Sequence, residues 1–298
     1  MRVWVRVPAA SGNLGSGFDS AGLALGLYNE AVADTELSGI QVEGEGADNL
    51  PTDERNHCVR AMQDLAVRTG RSLPPVGLRL RNRIPIGRGL ASSGAAVLAG
   101  LMLANGLLGE PCSLQDLIDL GTEMEGHPDN VAAAVLGGVV VSVWDGSRVE
   151  AVKIETPPEM RAVLWVPQAE LATKKARAAL PEMVSMQDAV YNLSRAALFA
   201  AALATGGYER LRTGAQDRLH QPYRAPLVAG LEEIMQAALE HGALAAWLSG
   251  AGPSVLALCK GDTSQVERAV CETGCRHAGA GEGLVLPIDP DGAQVRVE

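Results

Sequence analysis

Pro85-Ile86-Gly87-Arg88-Gly89-Leu90-Ala91-Ser92-Ser93-Gly94 stands between an alternating stretch and a long Ala/Leu run. Upstream, Val76–Arg83 places Val76, Leu78 and Leu80 against Gly77, Arg79 and Arg81, the period of a half-buried strand. Downstream, Ser92–Leu107 reads as one helix. Between them Ile84–Gly89 is a Pro/Gly-rich turn. Glycines without a Cβ take left-handed angles and let amide groups approach a ligand closely. A helix beginning there adds unpaired N–H groups and the positive end of its dipole, and Ser92 and Ser93 add hydroxyls. These are the parts of a phosphate-sized anion site. GxxxxGK[ST] is absent, and Gly87-x-Gly89 is followed by Leu90-Ala91-Ser92 rather than the spacing of a dinucleotide fold. Taken alone, the stretch is equally a tight turn with a serine cap.

The rest of the chain supports a mixed helix and strand fold. Of its 298 residues 47% are hydrophobic, enough for a full core, but only 3% are aromatic, so Ala, Val and Leu must build it. The net charge of −10 disfavours a phosphodiester partner. The start, MRVWVRVPAASGN, has no long apolar stretch behind a basic start, and no apolar run reaches membrane-spanning length. Cys58, Cys112, Cys259, Cys271 and Cys275 are odd in number and lack CxxC pairing, which points to reduced thiols and a cytoplasmic protein.

Strands are expected at Met1–Ala9, Glu150–Glu155, Arg161–Val166, Ala245–Leu248, Ser254–Leu258 and Gly283–Pro287. Ala31–Glu45 shows strand-like alternation with turns, Ala10–Ser20 reads as a loop, and Val131–Val143 should end in a buried strand. Helices are expected at Asn56–Thr69, Leu114–Met124 behind Ser113, Thr173–Leu180, Val184–Thr205, Leu227–His241 and Ser264–Thr273. The prolines of Thr156–Pro158 mark a division into 1–156 and 157–298.

PIGRGLASSGAA resembles the glycine-serine motif of the GHMP kinases, with Ala91 where glycine is common. Val7–Asp19 is similar to the first motif of the homoserine kinase branch. Leu248-Ser249-Gly250-Ala251-Gly252-Pro253-Ser254 resembles the third GHMP motif. All three occur in family order. The resemblance implies an α+β fold of two domains. The N-terminal one would be ribosomal protein S5 domain 2-like with a left-handed βαβ crossover, and the C-terminal one ferredoxin-like. It implies transfer of phosphate from ATP, with Mg²⁺, to L-homoserine, and a homodimer.

On that resemblance Pro85, Ile86, Gly87, Arg88, Gly89, Leu90, Ala91, Ser92, Ser93 and Gly94 cradle the triphosphate. Asn56 caps its helix or touches adenine. Ser93 and Glu125 hold Mg²⁺, with Glu123 the rival carboxylate. Arg177 and Arg224 grip the substrate carboxylate by their planar forks. Asp19 takes the ammonium, and Asn13 and Asn130 the hydroxyl end. His220 packs near Arg224 and orients it; His57 reads as a surface or cap residue. Asn130 stands where mevalonate-type members carry a basic Asp. An amide takes no proton at neutral pH, so Asn130 orients the hydroxyl, and a phosphate oxygen, a nearby Asp or water takes the proton. Asp129 is the lesser option, since consecutive side chains seldom face one site. Ser93, Asn130, Glu125 and Arg177 form the expected catalytic set. The alternatives are another small-molecule kinase of the superfamily, of mevalonate-pathway type, or a non-catalytic ligand sensor.

Overall fold

The computed structural model describes residues 1–298. The chain opens with an antiparallel pair, β1 (Arg2–Gly12) and β2 (Ala21–Asp34), whose register shifts between Pro8 and Ala9. β3 (Ile40–Gly44), α1 (His57–Thr69) and β4 (Gly77–Asn82) form a βαβ unit in which β3 and β4 pair in parallel. Then follow α2 (Ser92–Leu107), α3 (Leu114–Glu125), α4 (Asp129–Leu136), β5 (Val139–Trp144) and β6 (Val149–Ile154). The first sheet runs β11-β1-β2-β4-β3, with β5 on β2 and β6 on β5, β11 being Gln294–Val297.

The second sheet holds β7 (Met160–Pro167), β8 (Ala245–Leu248), β9 (Val255–Lys260) and β10 (Gly281–Pro287), in the order β10-β7-β9-β8. Around it lie α5 (Thr173–Ala178), α6 (Met186–Thr205), the one-turn helices α7 (Leu211–Gly214) and α8 (Gln221–Arg224), α9 (Leu231–Glu240) and α10 (Ser264–His277). Fourth, first, third and second strands side by side, all antiparallel, are the ferredoxin-like arrangement. The α+β expectation holds.

Alternation along the second sheet shows how the halves join. Ala162, Leu164, Trp247 and Leu256 face a main core of 52 buried residues that also contains β1, β2 and α2. Their strand neighbours Val163, Trp165, Leu248 and Val255 face a smaller core of 16 under α9 and α10. The break at 156/157 is thus a change of sheet inside one shared core, and the chain returns to the first sheet when β11 pairs with β1. Residues 157–298 are therefore not one self-contained unit.

Other boundaries also move. β1 runs on through Gly12, into the expected loop. The Ala31–Glu45 alternation divides between the end of β2 and β3. The apolar Val131–Val143 run is a helix and then a strand. Apolar character alone does not distinguish a buried helix from a buried strand. α2 matches its expected limits. It is apolar all round because it is enclosed, with 13 of its 16 residues buried. No helix is long and apolar enough to cross a membrane.

Candidate active site

The three glycine-rich stretches, far apart in sequence, are stitched together. Ser249 Oγ donates to the Gly89 carbonyl and lies within hydrogen-bond distance of Ser11 Oγ, each at 2.8 Å. The Gly250 amide donates to the Gly12 carbonyl at 3.2 Å, and the Ala10 amide to the Leu90 carbonyl at 3.3 Å. Gly89 has a φ of +70°, and a Cβ on it would lie 2.1 Å from the Ser249 carbonyl oxygen, so only glycine fits the crossing. The turn delivers the chain to α2 through Ala91, which is left-handed at φ 59° and offers no capping side chain. The amides of Ser92 and Ser93 thus begin a helix whose N-terminus no side chain caps. Arg88 borders the cleft, and its guanidinium bridges to the second half. It donates to the Gln168 carbonyl (2.6 Å) and Glu170 (2.8 Å), while the Leu171 amide donates to the Gly87 carbonyl.

Ser93 Oγ lies 3.1 Å from Glu125 Oε1 and 3.3 Å from His57 Nδ1. Glu125 is the last residue of α3, which Gly126 ends in a left-handed turn. Glu123 is engaged elsewhere: Arg68 grips both its oxygens at 2.9 Å, and that bond holds its carboxyl below the usual range. Of the two rivals, Glu125 is the one on the cleft. A hydroxyl and a carboxylate in contact are hard oxygen donors that suit Mg²⁺, so the residues fit the ion. Asn56 is a helix cap. Its Oδ1 accepts the Cys58 amide and its Nδ2 donates to the Pro51 carbonyl, yet it also borders the cleft.

Beyond Ser93 the cleft, about 480 Å³ in all, becomes charged. The loop after β1 holds Asn13, Leu14 and Asp19 at φ 73°, 45° and 52°, strain of the kind found where a site fixes a side chain. Asn13 is largely spent on scaffolding. Its Oδ1 accepts the Asp19 amide (3.0 Å) and its Nδ2 donates to the Gly250 carbonyl (2.9 Å). Arg177, on α5, forks onto both oxygens of Asp19 at 2.7 and 2.9 Å. Phe18 lies under both arginines, 5.7 Å from Arg177 and 5.4 Å from Arg224.

Arg224 is only 2% exposed, and its partners are all uncharged: the Ala176 and Gly250 carbonyls and His220 Nδ1. His220 is completely buried. Its Nε2 meets the Gly15 carbonyl at 2.8 Å, leaving Nδ1 to accept from Arg224, as expected of an orienting residue. Burial holds its imidazole below the ordinary range.

Asp129 and Asn130 open α4 and face the same point. A Cβ on Gly12 would meet Asp129 Oδ2 at 2.3 Å and Asn130 Nδ2 at 2.9 Å. The expectation that neighbours would diverge is corrected here: successive residues of a helix are about 100° apart, and the bare Gly12 backbone leaves room for both. Both oxygens of Asp129 are engaged, by His127 Nδ1 (2.7 Å) and the Asn13 amide (3.2 Å). Burial lowers the affinity of His127 for its proton, but the bond and charge of Asp129 outweigh it and raise the imidazole above its usual range. Asn130 Oδ1 is buried with no partner. Sequence reasoning missed His57 and His127 as cleft residues, and Phe18 as the ring packed behind the two arginines. His127 was legible in its turn with Asp129 and Asn130; His57 and Phe18 carry no local signal.

Known proteins match this architecture. The GHMP kinases N terminal domain model matches residues 56–138, and the GHMP kinases C terminal model residues 199–274. The homoserine kinase of Desulfitobacterium hafniense is 43% identical over 295 residues, 98% of this chain and 99% of that protein. That of Gloeobacter violaceus is 44% identical over 300 residues, covering 99% of each. The crystal structure of homoserine kinase from Cytophaga hutchinsonii superposes with a TM-score of 0.87 at 27% identity, covering 99% of this chain and 97% of that one.

Proposed function

The chain belongs to the GHMP kinases, and within them to the homoserine kinases, which phosphorylate the side-chain hydroxyl of L-homoserine with ATP on the route to threonine; from that premise we propose how its cleft is divided between the two substrates. The triphosphate lies along Pro85–Gly94 with its end at the first turn of α2, where amides and dipole favour an anion. Ser93 and Glu125 would hold Mg²⁺, which would offset the negative charge of the phosphates. The amino acid lies deeper, its carboxylate on Arg224 and Arg177, its ammonium on Asp19 and its hydroxyl at Asn130.

One observation carries this reading. Arg224 is buried among neutral acceptors with no carboxylate in contact, and a buried charge without a counter-ion is costly. An anionic ligand completes it. Likewise the orphaned Asn130 Oδ1 is an acceptor awaiting a hydroxyl.

The protein's contribution is placement. Asn130 accepts the hydroxyl's hydrogen bond and turns its oxygen toward the terminal phosphorus. The amide cannot take the proton, and each Asp129 oxygen already accepts one hydrogen bond, from His127 and from the Asn13 amide. In a loose transition state the proton leaves late, and the transferred phosphoryl oxygens receive it. The enclosing loops supply the orientation that makes attack effectively unimolecular.

Steady-state kinetics on Arg224→Leu test the assignment. Loss of a buried charged contact raises the homoserine KM about 10- to 150-fold; an unchanged KM refutes it. The same reading includes a cytoplasmic location, supported by five cysteines that are all free. It also includes a homodimer, supported by the exposed apolar Met186, Val190 and Leu193 along α6. Light scattering at the mass of a single chain would refute the dimer.

A further inference from the structure

Asp19 and Arg177 occupy each other fully. Nη1 of Arg177 donates to Oδ2 of Asp19 at 2.9 Å and Nη2 to Oδ1 at 2.7 Å, and neither side chain has another hydrogen-bond partner. The pair joins the loop after β1 to α5, which follows β7, so it spans the two halves of the cleft. The Asp19 end is fixed, because Asn13 Oδ1 holds its left-handed backbone amide. Arg224 differs: its contacts are two carbonyls and an imidazole, so it can receive a carboxylate without giving up an ion pair.

Resting on the assignment of Asp19 to the ammonium and Arg177 to the carboxylate, we propose that these two residues are each other's counter-ion while the pocket is empty. Homoserine then binds by exchanging this one internal ion pair for two intermolecular ones, and the exchange restricts the site to ligands that carry both charges. A hydroxy acid without an amine can claim Arg177 only by stranding Asp19. An amino alcohol without a carboxylate can claim Asp19 only by stranding Arg177 beside Arg224, two cations around one Phe18 ring. A zwitterion leaves the pocket's net charge unchanged and every charged group paired.

The consequence is an inversion that simple loss of contacts does not give. Calorimetric titration of the full chain with 4-hydroxybutyrate, 3-aminopropan-1-ol and homoserine reads it. In Asp19→Asn, which frees Arg177, 4-hydroxybutyrate binds about tenfold tighter than to the wild type while homoserine binds more weakly. In Arg177→Met, which frees Asp19, 3-aminopropan-1-ol gains in the same way and homoserine again loses. Asp188→Asn removes a negative charge that pairs with Arg218 outside the cleft, and it leaves 4-hydroxybutyrate within about threefold, because an exposed charge acts weakly at a distance. Unchanged or weaker binding of the single-charge ligands in the first two variants overturns the exchange. An equal gain in Asp188→Asn overturns it too, since the effect is then one of overall charge. Homoserine affinity unchanged in both Asp19→Asn and Arg177→Met overturns the assignment beneath it, a distinct result. Either variant alone decides the matter if the other does not fold.

Discussion

Asn130 and Asp129 show what single residues disclose. That an amide stands where a base is usual was readable from sequence, and so was its consequence for the proton. That its neighbour turns to the same point was not, because it depends on Gly12, over a hundred residues away, presenting bare backbone. The bridge made by Arg88 was hidden for a similar reason: nothing local shows that its guanidinium also serves the strand end at Pro167–Glu170. Two outcomes belong at this scale. Asn130→Ala lowers kcat while leaving the dissociation constant for ATP within about threefold, if the residue meets the hydroxyl and not the nucleotide as proposed. Equal losses in both would contradict that role. The second concerns His220, whose imidazole is held below its ordinary range by burial. The unfolded chain takes up this proton near pH 6.5 and the native one does not, so stability falls as pH drops through that value, by up to about 1.4 kcal/mol per unit. In His220→Gln melting temperatures between pH 7.5 and 5.5 decline less steeply than in the wild type. A parallel decline would show that another group sets the slope.

Elements were legible where local chemistry decides them. Asn56 and Ser113 cap the helices they precede, Ser113 within a capping box with Asp116, and α2 ends where its apolar run does. Short helices such as α8 were not foreseen, because four residues held by packing have no period to read. Glycines within α2 show the difference between propensity and packing. Gly100 sits where a Cβ would come 2.1 Å from the Cys58 carbonyl of α1. In an open helix glycine to alanine adds about 1 kcal/mol. Here Gly100→Ala is expected to lose about 1–3 kcal/mol, the cost of overpacking, and denaturant unfolding reads the sign. Ala91 is the opposite case, a left-handed alanine at the head of α2. Ala91→Gly relieves its strain and stabilises by about 1 kcal/mol, or roughly 2–4 °C in melting temperature. No gain would mean that the turn holds its shape without strain.

At the scale of the molecule the sequence suggested a division near Thr156–Pro158, but not that the two sheets on either side of it share a core. The side chains that merge them, Leu164, Trp247 and Leu256 with β1 and α2, are ordinary alternating strand residues. Nor did four residues near the end announce an edge strand. β11 closes the first sheet against β1, and the last residue exchanges two backbone hydrogen bonds with Arg2. Removing residues 294–298 exposes the β1 edge, so a lower melting temperature and concentration-dependent association are expected; a variant melting like the full chain would show the pairing to be superficial. What unites these scales is the cleft the two halves enclose, in which we propose an anion-binding helix end at one side and a zwitterion pocket at the other. Co-crystals with homoserine and a non-hydrolysable ATP analogue test it most directly. The account predicts the terminal phosphate at the amides of Ser92 and Ser93, the amino-acid carboxylate on Arg224 and the hydroxyl at Asn130. Phosphates bound away from α2, or an amino acid that leaves Arg224 without an anion, would contradict it.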